Sequence, residues 1–277
     1  GVACTGGTDT AQAIARALAA RPGPLVPLIA ETGGINAMVV DSSALPEQVV
    51  QDALTSAFGS AGQRCSALRV LCLQEEIADR MLEMLAGAAA ELRIGDPLDP
   101  ATDIGPVIDE EAREGLEEWC RSLRAAPLFQ VPVPAGLERG TFFAPRAYAL
   151  PSVRALTREV FGPVLHVVRW PGGALDALLD DIAANGFGLT LGVHSRIEAV
   201  QRHIAERLRV GNTYVNRNQI GAVVGVQPFG GHGLSGTGPK AGGPVTLIRF
   251  ATELTVSVNT AAAGGNASLL AMDAGGV

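Results

Sequence analysis

Cysteine, aromatic side chains and clustered cations are all scarce in this chain, and each scarcity excludes something. Of 277 residues four are cysteines, Cys4, Cys65, Cys72 and Cys120, and no two have C-x-x-C spacing. That spacing argues against a structural zinc site, and so few cysteines in so long a chain make a poor disulfide framework. Reduced thiols in a cytoplasmic protein fit best. The four histidines, His166, His194, His203 and His232, are scattered, so no metal site is expected. Lys and Arg form no cluster and the formal net charge is −7, which disfavours a nucleic-acid partner. No apolar run is long enough to span a bilayer, and no charged-then-apolar leader opens the sequence; no membrane association is expected. Aromatic residues make up 4%, so Ala, Val, Leu and Gly must fill the interior.

Hydrophobic residues are 47% of the chain and charged residues 18%, enough apolar material for a substantial core. The chain starts at Gly1 and runs straight into apolar residues, which reads as the middle of a longer polypeptide. The apolar pattern alternates short runs with helical periodicity. A strand at 2–4 is broken by Thr5-Gly6-Gly7-Thr8-Asp9, where Thr8 or Asp9 is placed to cap the helix that follows. Extended runs are expected at 25–30, 38–40, 68–73, 164–170, 189–194 and 210–216. Helices are expected at 46–58, 75–93, 109–124, 174–184 and 196–207. Strands alternating with helices predict an α/β protein with a mostly parallel, doubly covered sheet. Residues 221–243 are Gly-rich and irregular, a length of loop that usually serves function. The tail carries an alternating strand, 252–260, and then a small-residue Ala/Gly stretch.

Two stretches carry chemistry. Cys65 lies in FGSAGQRCSALR (58–69), among Gly59, Ser60, Ala61, Gly62 and Ser66, which leave it little side-chain cover. It sits at a helix-to-strand turn where backbone N–H groups are free to bind an oxyanion, with Arg64 and Arg69 near enough to favour thiolate. Local sequence leaves open both a nucleophile and a small buried hydrophobe, the reading given to the other three cysteines. Glu31 lies in AETGGINAMVVD (30–41), between an apolar run and Gly33-Gly34. The glycines let the backbone bend so that the carboxylate points into a cleft, where burial raises its pKa toward that of a base; a solvated loop Glu is the plain alternative.

Both stretches resemble the aldehyde dehydrogenase family, whose nucleophile motif reads F-x-N-x-G-Q-x-C and whose base motif reads E-L-G-G-K. Phe58, Gly62, Gln63 and Cys65 match the first, with Ser60 in place of Asn; Glu31, Gly33 and Gly34 match the second, with Thr32 and Ile35 departing. REVFGPVL (158–165), QPFGGHGLSGTG (227–238) and the opening TGGTD (5–9) resemble further family motifs in the family's order. The resemblance implies Cys65 as nucleophile and Glu31 as base. It implies NAD held by Gly6, Gly7, Thr8, Gly33, Glu159 and Phe161, with Gly7 replacing a Ser that usually adds a hydroxyl contact. AGQRCSALRVLCLQ (61–74) and GNTYVNRNQIGAVVGVQPFGG (211–231) narrow it to enzymes that oxidise glutamate semialdehyde in proline breakdown, as in the proline-utilisation A type. There Ser66, Gly221 and Ala222 would grip the substrate α-carboxylate, with Arg64 and Phe229 also lining the substrate site.

The implied architecture is a partial Rossmann-like dinucleotide-binding lobe at 1–33, a catalytic α/β domain at 34–235, and 236–277 returning to the cofactor lobe and ending in an oligomerisation strand. The family's preceding portion, with the second oxyanion donor and the adenosine site, has no counterpart in the sequence. An aldehyde substrate, a second copy of the chain and the N-terminal portion of the same polypeptide are therefore the expected partners. A catalytically incomplete fragment, or an enzyme for another aldehyde, are the other readings.

Overall fold

The computed structural model describes residues 1–259 together with Ser268 and Ala271. The chain opens with a small unit: β1 (Val2–Thr5), α1 (Thr8–Ala20) and β2 (Leu28–Glu31). The two strands pair in parallel, with Val2 opposite Leu28 and Thr5 opposite Glu31. Gly7, not Thr8 or Asp9, is the N-cap, and it makes no side-chain capping bond. Thr8 and Asp9 fall inside the first turn, and the Thr8 hydroxyl turns away to Leu234 O at 3.3 Å. The helix ends at Arg21, just before Pro22, whose ring cannot continue it. No residue of α1 is fully buried.

The remaining elements build one large sheet and a separate antiparallel pair of short strands. They are β3 (Ala37–Val40), α2 (Pro46–Phe58), β4 (Val70–Gln74), α3 (Glu75–Ala90), α4 (Glu110–Ser122), β5 (Phe129–Gln130), β6 (Arg146–Ala149), β7 (Val164–Trp170), α5 (Leu175–Ala183), β8 (Phe187–Gly188), β9 (Thr190–His194), α6 (Glu198–Arg207), β10 (Asn212–Val215) and β11 (His232–Gly233). Seven strands run in the order β10-β9-β3-β4-β7-β6-β5. Every neighbouring pair is parallel except β5 with β6. The separate pair is β8 with β11. The central strands, AMVV in β3 and VLCL in β4, are buried along their length, as an all-apolar run demands when helices cover both faces. The core lies between Ile35 and Leu208.

The predicted order of strands and helices therefore stands, with shifted ends. The helix expected over 75–93 stops at Ala90, and that over 109–124 begins at Glu110 because Asp109 caps it, accepting the Ala112 N–H at 2.8 Å. The short strands β5, β6, β8 and β11 were not anticipated: two to four residues carry too little periodicity to stand out. The strand expected over 252–260 is one that pairs with a second copy; within this chain residues 251–258 join no sheet among the described residues, and Leu254, Val256 and Val258 are exposed. Thr260 and most of the Ala/Gly stretch lie outside the described residues.

Leu71 sits wholly buried in β4, between β3 and β7. Leu71→Ala should destabilise the fold by about 2–5 kcal/mol, read as a lower urea midpoint at unchanged slope.

Candidate active site

The Cys65 segment is shaped before the cysteine is reached. After α2, Ser60, Ala61 and Gly62 all have left-handed backbone, with φ of 57°, 55° and 64°. L-residues seldom adopt this conformation, so the turn is held from outside. A Cβ on Gly62 would overlap the Gly162 carbonyl, which explains the glycine there. The Gln63 amide pins the next step, accepting the Ile108 N–H at 2.7 Å. Asn36 Nδ2 donates to the carbonyls of Cys65, at 2.6 Å, and Ala67, at 2.9 Å. Among the described residues the Cys65 and Ser66 N–H groups meet no protein oxygen, and both favour the thiolate form of the Cys65 side chain.

Arg69 is fully buried below this loop. Its Nη1 donates to Gly62 O at 2.7 Å and Gly162 O at 3.2 Å; its Nη2 donates to Arg64 O at 3.0 Å and Glu159 Oε1 at 3.2 Å. The guanidinium carbon also lies 5.3 Å from the centre of the Phe161 ring. Arg69 is thus engaged by a carboxylate and three carbonyls, and Arg64 Nε donates to Ser60 Oγ at 2.9 Å. The Arg69 charge and a Cys65 thiolate do attract one another, but that attraction is outweighed. Burial pushes the Cys65 thiol above its ordinary value, the Glu159 charge adds to this, and Glu31 pushes the same way.

Glu31 ends β2, and its Oε2 accepts the Gly231 N–H at 3.2 Å. Its Oε1 is buried without a partner. A Cβ on Gly230 would come within 2.7 Å of that oxygen, and one on Gly33 would overlap Glu159, so glycine gives both carboxylates their places. Burial raises the Glu31 pKa to about 7, against the pull of the Gly231 N–H and the Lys240 charge. Lys240, whose Nζ donates to Gly211 O, went unnoticed in the sequence; a lone cation among Gly and Pro, GPKAGGP (238–244), was the available signal. Asn36 was missed too, although a single amide before a fully apolar strand needs buried partners.

A cavity of about 790 Å³ joins these groups. Gly6 and Gly7 line one part, Glu31, Gly33 and Cys65 another, with Arg64, Ser66, Glu159, Phe161, Gly221, Ala222 and Phe229. Thr8 alone of the predicted residues is not brought to it. Thr5, Thr32 and Gln63 line it as well. At the Gly7 end, the N–H groups of Gly7, Thr8, Asp9 and Thr10 have no protein acceptor among the described residues, leaving an uncapped helix N-terminus with open space beside Gly7. Among the described residues no group of His, Cys, Asp and Glu is arranged to hold a metal, and no helix is long and apolar enough to cross a membrane.

A thiol with two free amides, a carboxylate titrating near neutrality and an anion-binding helix end, sharing one cleft of an α/β fold, define a site suited to covalent carbonyl chemistry. The chain belongs to the aldehyde dehydrogenase family, whose family model matches residues 1–256. It is 56% identical over 261 residues to the bifunctional protein PutA of Escherichia coli strain K12, covering 90% of this chain and 20% of that protein. It is 37% identical over 246 residues to a 1-pyrroline-5-carboxylate dehydrogenase of a Geobacillus species, covering 87% of this chain and 47% of that one. A crystal structure of a bifunctional proline utilization A protein superposes with a TM-score of 0.90 at 61% identity, over 95% of this chain and 27% of that one. A Thermus 1-pyrroline-5-carboxylate dehydrogenase with bound NAD superposes with a TM-score of 0.81 at 31% identity, over 90% of this chain and 48% of that one. The chain therefore spans between a fifth and a half of the length of these relatives.

Arg69→Met should leave the Glu159 carboxylate buried and unpaired. A loss of roughly 3–5 kcal/mol is expected in denaturant unfolding, and wild-type stability would show that the pair does not hold the loop.

Proposed function

We propose that this chain forms the cysteine-bearing part of an enzyme that oxidises glutamate semialdehyde to glutamate with NAD, in proline breakdown. The observation that carries the reading is that Cys65, its free amides and the Glu31 carboxylate line one cavity. The names of the relatives support the substrate, and the bound NAD of the Thermus structure supports the cofactor.

The residues present fit that cofactor. The uncapped N–H groups at α1 suit a pyrophosphate and stand in for the hydroxyl that Gly7 lacks. The Glu159 carboxylate suits ribose hydroxyls, and the part-exposed Phe161 ring suits the flat nicotinamide. When bound, NAD supplies the hydride acceptor. Cys65 loses its thiol proton to solvent, the Sγ thiolate attacks the aldehyde carbon, and the developing oxyanion meets the Cys65 N–H. Once hydride has left, Cys65 carries an acyl thioester. Glu31 takes a proton from water, which attacks the thioester carbon and releases the acid and the Cys65 thiol. The Ser66 hydroxyl and the Gly221 and Ala222 amides bind the substrate carboxylate without a buried cation. The second oxyanion donor and the adenosine site belong, in this reading, to the family's preceding portion on the same polypeptide.

Residues 251–259 fit the same picture. Leu254, Val256 and Val258 are exposed and alternate with polar residues, the pattern of a strand that completes a sheet of a second copy. The protein should therefore self-associate in solution, and a monodisperse monomer at sizing would overturn this.

With glutamate semialdehyde and NAD, Cys65→Ala should abolish NADH formation. Glu31→Gln should give one burst of NADH per site and then turn over roughly a hundred- to ten-thousandfold more slowly. Glu31 acts as a base only when ionised, so hydrolysis in the wild type should rise with pH through about 7. Undiminished steady-state turnover in Glu31→Gln would remove Glu31 from the base role.

A further inference from the structure

The two halves of the proposed carboxylate grip come from distant parts of the chain: Ser66 beside the nucleophile, and Gly221-Ala222 in the late loop. Gln219 lies two residues before Gly221 and is fully buried. Its side chain leaves its own loop and ends beneath Ser66. The Gln219 Nε2 donates to Thr190 Oγ1 at 3.3 Å, and that hydroxyl donates to Ser66 O at 3.1 Å. Nε2 also makes a longer contact, 3.5 Å, directly to Ser66 O. A Cβ at Gly192 would come within 2.7 Å of the Gln219 Oε1, so the glycine in β9 leaves room for this amide.

The backbone on either side is held as well. The Gln219 N–H donates to Ser56 Oγ at 3.1 Å. One turn earlier on the same face of α2, Asp52 lies against the Asn218 N–H, which offsets part of the cost of burying that carboxylate. The restraint stops at Gly221, which has a φ of 71°, and at Ala222, both lining the cavity. The Ser66 hydroxyl has no protein partner among the described residues and lines the cavity from the other side. A buried amide thus joins the peptide that carries one half of the grip to the peptide that carries the other.

We propose that Gln219 is a positioning residue for substrate selection: it fixes the distance between the Ser66 hydroxyl and the Gly221-Ala222 amides, and with it the preference for aldehydes bearing an α-carboxylate. This rests on the substrate reading above. Gln219 touches no reacting atom, so its loss should be felt in recognition of the carboxylate and not in the attack of Cys65. Asn36 holds the Cys65 and Ala67 carbonyls through its own Nδ2 and meets the Gln219 relay only through the Thr190 N–H, so Cys65 keeps a restraint that Gln219→Met does not remove.

The test uses the protein as its own gene expresses it, with Gln219→Met, which keeps the shape and removes the amide. Ser56→Ala, which frees only the Gln219 N–H, is the gentler second variant. Each is compared with wild type on glutamate semialdehyde and on pentanal, which lacks the carboxylate, with KM and kcat read separately. The expected result is a KM for glutamate semialdehyde raised roughly ten- to a hundredfold in Gln219→Met. Its kcat, the pentanal kinetics and the rate of Cys65 alkylation by iodoacetamide should stay near wild type. Ser56→Ala should move the same way by less, and carries the test if Gln219→Met does not fold. An equal fall on both aldehydes, or an unchanged ratio of kcat/KM between them in both variants, would overturn the proposal. A wild type with no preference for glutamate semialdehyde over pentanal would overturn the substrate reading, and this proposal with it.

Discussion

One buried guanidinium organises the site. Arg69 leaves β4 at its start and reaches Gly62, Arg64, Gly162 and Glu159, four points on the two segments that build the cleft. A charge in that position is costly unless every donor finds an acceptor and a counter-charge is near. The left-handed run from Ser60 to Gly62 and the approach of Gly162 meet most of that demand, giving acceptors to Nη1 and Nη2, while the buried Nε finds none among the described residues. The Cys65 loop and the loop proposed to face the nicotinamide are therefore one polar cluster, which the closely packed β4 and β7 hold in register below.

In the cleft, shared burial outweighs the nearby cations, Lys240 beside Glu31 and Arg69 beside Cys65. Cys65 and Glu31 are both pushed toward their neutral forms, each by burial first. The thiol rests protonated, while the carboxylate titrates near neutral pH. The two groups also oppose each other's ionisation, since the Glu31 charge raises the Cys65 thiol. Such a pair disfavours the Cys65 thiolate, the form most open to oxidation.

Much of the fold was legible because long buried strands and amphipathic helices have strong periods: VLHVVRW was read to the residue, and Pro46–Phe58 likewise. The short strands β5, β6, β8 and β11 were not, having too few residues to show a period. The cleft residues were legible through motif resemblance, and the structure brings all but Thr8 to one cavity. What sequence misjudged was electrostatic. Arg69 is near Cys65 in the chain and near it in space, yet its charge faces Glu159, ninety positions away. Asn36, Thr190 and Gln219 form the scaffold behind the nucleophile, and each looks like an ordinary polar residue until the fold joins them.

The pairing of Thr5 with Glu31 fixes more than two short strands. Gly6, which starts the turn into α1, donates its N–H to Glu31 O at 3.1 Å, so the helix end and the carboxylate share one ladder. Side chains alternate across a strand, so a slip of one residue would move Glu31 by about 3.3 Å and turn it to the opposite face. Residues lost or gained between Ala20 and Leu28 would alter a surface connection and leave that ladder intact. The same change inside Val2–Thr5 would shift the helix end relative to the carboxylate, which Gly231 and residues 235–237 hold from the other side. Tolerance to insertion is therefore expected to change sharply along this one short stretch of chain, governed by a ruler four residues long.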